Sequence, residues 1–292
     1  MIIVAGGSVP LDLLGMAPLE LIIFEQKNRS GTPFHYESME SLRFELRLRA
    51  AIVDSSVSMQ KSEVTFRSFK KSYCNEAYWT RNENGGFQQK PFVRPSDAVR
   101  DIYVNGHLYG FECATAVIIV LYKAVLETIG TGAFDRLFAN LYLYSWRHDS
   151  DLRLITTYGE QDSFPGDILY FKNPDVDPEM MEWQGENAIK LQTDLYFGHG
   201  IGIKNAEGII TKLNRHRKPG STESAYLLPE ATYPNFFYLE QAAFLRDTES
   251  AAALSLGPST GAAGRIVARI GWRTGIYAVT FFSSEDCCQD GG

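Results

Sequence analysis

The sequence predicts an α+β fold on three observations: helical periodicity comes first, strand-like runs broken by Pro, Asp, Asn and Gly come later, and an intensely apolar helix lies between them. Helices that precede the strands, instead of alternating with them, argue against a doubly wound parallel sheet. Ser38 is placed to cap a helix in which Met39, Leu42, Leu46, Leu48, Ile52 and Val53 form an approximate apolar face, with charged residues opposite. From 62 to 80 the aromatics Phe66, Phe69, Tyr73, Tyr78 and Trp79 mix with polar residues and no single period emerges; 82–86 reads as a turn. Pro95 and Ser96 open a short helix that ends near Asn105 and Gly106.

Phe111, Glu112, Cys113, Ala114 and Thr115 then lead into the apolar run 116–121, a helix too hydrophobic to be anything but buried, stopping at Gly130. A further helix is expected over roughly 133–143. The runs 168–171, 188–191, 196–203 and 208–211 read as short strands of an antiparallel meander or small barrel. Beyond about Phe244 the composition shifts: 251–264 is rich in Ala, Ser and Gly, and a strand-like run over 276–282 precedes an acidic end. The organisation predicted is a domain over 1–245 and a separate tail over 246–292.

With 292 residues, 45% hydrophobic and 13% aromatic, the chain can bury a substantial core, which excludes disorder for most of it. A formal net charge of -7 disfavours a nucleic-acid partner; the basic run Arg215, His216, Arg217, Lys218 lacks interleaved aromatics and reads as a solvated loop. The four cysteines Cys74, Cys113, Cys287 and Cys288 show no metal spacing, and the adjacency of the last two speaks against a disulfide framework. Residues 1–7 are apolar but have no basic flank and are too short for a signal segment or a membrane span, so no membrane partner is expected and the cytoplasm is the expected compartment.

A cysteine at the mouth of a helix can be a nucleophile, because unpaired N–H groups and the dipole there stabilise a thiolate; it can equally be core packing. A nucleophile needs a proton partner, and among five histidines only His199 is suggestive, lying between Gly198 and Gly200 in a strand-like run where its ring is uncrowded. Glu112 adjoins the thiol and Glu186 stands where a strand begins; either can orient an imidazole or act as the base if burial raises its pKa. Asp175, Asp177, Glu179 and Glu186 fit four positions of a calcium-loop template, but Met180 stands where the template needs Gly, and Pro174 and Pro178 interrupt it, so no metal site is expected. Gly130, Thr131, Gly132 lacks the Lys and strand context of a phosphate cradle.

Four segments in order carry a resemblance: Phe111-Glu112-Cys113-Ala114-Thr115-Ala116, residues 166–174 (GDILYFKNP), Trp183-Gln184-Gly185-Glu186-Asn187, and residues 196–203 (YFGHGIGI). In sequence and spacing they resemble the small calcium-independent transglutaminase of spore-forming bacteria, and further likeness at 224–228 and 44–49 extends the resemblance over about 1–245. The resemblance implies an α+β core related to papain and to bacterial cell-wall cysteine peptidases, with a helix-borne Cys packed on a small antiparallel sheet bearing the His, and with extra N-terminal helices. It implies Cys113 as nucleophile, Glu112 and Glu186 as acidic partners and His199 as the histidine of the site, without cofactor or metal. Its substrates would be proteins bearing Gln and Lys side chains, namely spore coat proteins, reached from the mother-cell cytoplasm.

Cross-linking through a thioester requires that water be shut out while Lys is admitted, and Trp146 and Trp183, with Phe66 or Phe69, are the candidates for the walls of such a passage. Two other readings compete: a cell-wall cysteine peptidase of the same fold, and a non-catalytic coat scaffold in which Cys113 is unreactive.

Overall fold

Ser38 caps its helix as the sequence predicts: its hydroxyl accepts from the Ser41 N–H at 3.1 Å. The computed structural model describes residues 1–5, 15–159, 162–244, 263–270 and 273–280. At the N-terminal end β1 (Ile2–Val4) pairs in parallel with β2 (Phe34–Tyr36), and α1 (Pro18–Arg29) lies between them in sequence. The capped helix is α2 (Met39–Lys61); its Leu42 and Leu46 close a small core with Ile2, Val4, Ile23 and Phe24.

The open stretch after α2 folds in short pieces. Strand β3 (Thr65–Phe66) is followed by the hairpin of β4 (Trp79–Arg81) and β5 (Phe87–Gln89) and by α3 (Pro95–Val104). Strand β6 (Gly110–Phe111) pairs in parallel with β3 and delivers the chain to α4 (Cys113–Ile129). Nearly every residue of α4 is buried, because the helix is apolar all round and packs against α2 on one side and the main sheet on another.

The next helix is shorter than the sequence suggests. Helix α5 (Thr131–Leu137) ends where the Phe138 N–H bonds to the Phe134 carbonyl at 2.9 Å. Residues 142–143 form β7 (Tyr142–Leu143) against β5 instead. The physical reason is Gln89: its backbone N–H donates to the Leu141 carbonyl and its side-chain carbonyl accepts from the Leu141 N–H, both at 2.9 Å, holding the chain extended.

The main sheet collects β8 (Ile155–Tyr158), β9 (Ile168–Lys172), β10 (Gly185–Gln192), β11 (Leu195–Gly198), β12 (Gly202–Lys204), β13 (Tyr226–Leu227) and β14 (Glu230–Tyr233). Its order is β12-β11-β10-β9-β14-β8, with β13 on β9, and its pairings are antiparallel. The run 208–211 is not a strand but part of α6 (Ala206–Asn214). Asn205 caps that helix, accepting from the Gly208 N–H at 3.0 Å, and Ile209 and Leu213, four residues apart, bury one face. A further helix, α7, spans 236–244.

A buried chain of charges ties these pieces together. Glu45 of α2 accepts from Lys27 of α1 at 2.5 Å and from Arg49 at 2.7 Å; Arg49 reaches Asp167 at 2.6 Å, and Asp167 accepts from the Phe164 N–H at 2.7 Å. Burial alone would raise Glu45, but Lys27 and Arg49 overcome it and hold the carboxyl near 2. The turn into β9 is thereby anchored to α2. Arg49→Ala leaves two buried carboxylates short of a cation, so we expect a loss of about 3–5 kcal/mol in urea unfolding; a loss below 1 kcal/mol would show the chain to be dispensable.

Contacts divide the chain into Met1–Arg246 and Asp247–Gly292. In the second unit Ala263–Ile270 and Arg273–Thr280 pair as an antiparallel hairpin, β15 and β16. The strand-like reading over 276–282 falls on β16 as far as Thr280; the Ala, Ser and Gly-rich stretch up to 262, and Cys287 and Cys288, lie outside the described residues.

Candidate active site

Cys113 is the first residue of α4, placed there by the short β6, and its side chain is 7% exposed at the wall of a cavity of about 1000 Å³. Glu112 is the N-cap. Its carboxylate accepts from the Ala114 and Thr115 N–H groups, each at 2.7 Å, and from the Thr115 hydroxyl at 2.6 Å. It therefore fills the anion position that a helix start offers.

This changes the expectation for the thiol. The helix start should stabilise a thiolate, yet burial pushes the Cys113 thiol well above its ordinary value, and the charges of Glu186 and Glu112 push in the same direction. Opposing them are the backbone N–H of Asn187 and its side-chain amide, whose Nδ2 lies 3.6 Å from Sγ. At neutral pH Cys113 rests as a thiol.

Glu186 sits on β10 and is 2% exposed. Burial raises its carboxyl well above the usual range, the Glu112 charge adds to the rise, and the backbone N–H of His199 opposes it. Its Oε1 has no hydrogen-bond partner. A Cβ at Gly198 would stand 2.9 Å from that oxygen, so the missing side chain makes the room Glu186 occupies.

His199 does not hydrogen-bond the thiol. Its Nε2 is 3.1 Å from the Phe111 carbonyl, the ring lies beside Phe111 and Phe66, and burial lowers its pKa to about 4 against the pull of the Thr65 and Phe111 carbonyls. The ring is neutral and binds β6 to the turn after β11, while its backbone faces Glu186. Neither Glu112 nor Glu186 orients the imidazole.

Of the candidate walls, Trp146 and Phe69 line the cavity at Cys113, and Trp183 and Phe66 do not. Trp146 is presented by Ser145, whose φ of +53° is held by its N–H bond to the Thr115 hydroxyl at 2.9 Å. Trp183 instead stacks on His216 at 4.1 Å and leans on Phe66 at 5.6 Å, so the basic run at 215–218 is partly packed. Lys218 of that run pairs with Asp175 at 2.8 Å. The remaining residues of the calcium-loop pattern do not converge either: Asp177 caps a short turn of helix, and Glu186 is buried beside the thiol.

Asn187 and Tyr170 are residues of the site that sequence reasoning quoted within motifs without assigning them a part. Their only local signal is that each alternates with an apolar or acidic neighbour along a strand. Among the described residues no helix is long and apolar enough to cross a membrane.

Residues 1–243 match the family described as "TGL: Protein-glutamine gamma-glutamyltransferase". The chain is 47% identical over 228 residues to the protein-glutamine gamma-glutamyltransferase of Halalkalibacterium halodurans, covering 78% of this chain and 80% of the relative. It is 44% identical over 244 residues to that of Bacillus cereus strain B4264, covering 84% and 87%. The solved transglutaminase from Geobacillus stearothermophilus, without its C-terminal extension, superposes with a TM-score of 0.67 at 55% identity, covering 70% of this chain and 97% of that one. With a buried thiol, the Glu112 carboxylate and the Asn187 amide gathered at one cavity, and with relatives this close over most of its length, the chain belongs to the protein-glutamine gamma-glutamyltransferase family, the transglutaminases that cross-link protein Gln and Lys side chains by isopeptide bonds.

Proposed function

We propose that Cys113 is the nucleophile of the cross-linking reaction and Glu186 its principal base, with Glu112 a second acidic partner and His199 a positioning residue. The observation that carries this reading is the pairing of a buried, protonated thiol with a carboxylate whose own pKa burial has raised. A carboxylate whose basicity burial has raised can take the thiol proton and return it to a leaving group.

In the first half-reaction the Cys113 sulfur adds to the carboxamide carbon of a protein Gln while its proton passes to Glu186. The carbonyl electron pair moves to oxygen, where the Asn187 amide and the Cys113 N–H are the donors within the site. Collapse restores the carbonyl, breaks the C–N bond and returns the proton to the nitrogen, which leaves as ammonia. A Lys amine then adds to the thioester, gives its surplus proton to Glu186, and displaces the sulfur, which takes the proton back. The apolar walls contributed by Trp146 and Phe69 disfavour water as a competitor.

The core is of the papain and cell-wall peptidase kind, with α4 carrying the nucleophile against β10, and the catalytic unit is 1–245. We assign coat proteins of the spore as substrates and the coat as the place of action; the resemblance to the enzyme of spore formers and the kinship with Bacillus proteins support this. The test is to incubate the protein with a Gln-bearing substrate without amine, quench in acid and map the adduct by mass spectrometry. We expect an acyl thioester on the Cys113 peptide that a labelled primary amine discharges; an adduct at Cys74 instead would overturn the reading.

A further inference from the structure

Tyr170 of β9 is directly opposite Asn187 of β10 in the antiparallel register, so the two side chains share the sheet face turned toward the start of α4. Both line the cavity with Cys113. The phenol is held in place by an absence: a Cβ at Gly185 would collide with the Tyr170 hydroxyl and its ring carbon Cζ, so the ring end lies over bare backbone. We propose that the Tyr170 hydroxyl is a further catalytic group, donating its O–H to the carboxamide oxygen of the substrate as Cys113 adds to the carbon. The inference rests on the reading of Cys113 as nucleophile.

The chemistry asks for such a donor. The Ala114 and Thr115 N–H groups, which a helix start would otherwise offer to an oxyanion, are occupied by the Glu112 carboxylate. The Glu112 carboxylate also stands beside the thiol, and a neutral hydroxyl stabilises a developing oxyanion without placing a cation beside the base. Burial, with the charges of Cys113, Glu186 and Glu230, pushes the phenol up to about 12, so it keeps its proton and remains a donor through the working range. No proton changes owner at Tyr170: the hydrogen bond tightens as the S–C bond forms and relaxes when ammonia leaves.

Tyr170→Phe keeps the ring and its packing, so folding is not at stake, and a melting curve checks it. We expect kcat for amine incorporation to fall roughly 100-fold with KM within about threefold, as for loss of one oxyanion donor. The rate of Cys113 alkylation by iodoacetamide should not change, because that displacement forms no oxyanion. An unchanged kcat overturns the proposal, and so does an alkylation rate that falls in parallel, which would place the hydroxyl on the thiol. A rise in KM with kcat kept overturns it as well, by making Tyr170 a binding group. Failure of the underlying reading looks different: wild-type protein with Cys113 fully alkylated would still cross-link, whatever the Phe variant does.

Discussion

Cys113→Ala is expected to remove amine incorporation altogether, a fall on the order of 10⁴–10⁶-fold, while the protein stays folded. The two outcomes separate because the substitution deletes a single sulfur from a cavity wall. The helix it opens is capped by Glu112 and buried along its length, and neither property depends on the thiol. Incorporation of a labelled amine into a Gln-bearing protein, followed beside a melting curve, reads both. Residual activity within tenfold of wild type would dismiss Cys113 as the nucleophile.

Glu186→Gln should be the next most damaging change, lowering kcat roughly 10²–10⁴-fold, the range for loss of a general base. Its pH profile carries the sharper information. Glu186 must be ionised to take the proton, and burial has raised its pKa, so the acidic limb of wild-type kcat/KM should lie well above the ordinary carboxylate range and disappear in the variant. Stability should move the other way. A carboxyl raised on folding contributes stability in full below its unfolded pKa and loses that contribution as pH rises through the folded value. Above the folded pKa of Glu186 the wild-type protein therefore holds a buried, underpartnered charge that Gln does not. We expect the variant to melt higher by about 2–4 °C per kcal/mol relieved; a lower melting point would mean that Glu186 has a partner in its charged form.

Glu112→Gln should slow the reaction less, because the amide oxygen can still cap α4, and the double variant should fall well below either single one. Both carboxylates act on the same thiol, and shared work shows as non-additivity. A double variant no slower than Glu186→Gln would leave Glu112 only its capping role.

What could be read from the sequence was what local pattern encodes. The buried helix with Cys113 at its start, the Ser38 cap and the hairpins over 168–203 follow from periodicity and turn residues. The run 208–211 misleads because Gly208 and the β-branched Ile209, Ile210 and Thr211 favour a strand locally, whereas the Asn205 cap and the core under Ile209 and Leu213 decide for a helix. Glu112 is visible as an acid beside a thiol, yet its capping role depends on where the helix begins. Asn187 and Tyr170 meet Cys113 only through strand register. The Arg49–Asp167 pair spans 118 residues, beyond the reach of any local signal.

The capping carboxylate of Glu112 has one more effect. Peroxide attacks cysteine through the thiolate, and the fraction of thiolate at a given pH sets how quickly a sulfenic acid forms. Many thiol enzymes carry an ionised sulfur at a helix start and are correspondingly vulnerable between turnovers. Here that electrostatic niche is already taken by a carboxylate, and the sulfur is ionised only as it reacts. The Cys113 thiol is thus stored in its least oxidisable form between one reaction and the next.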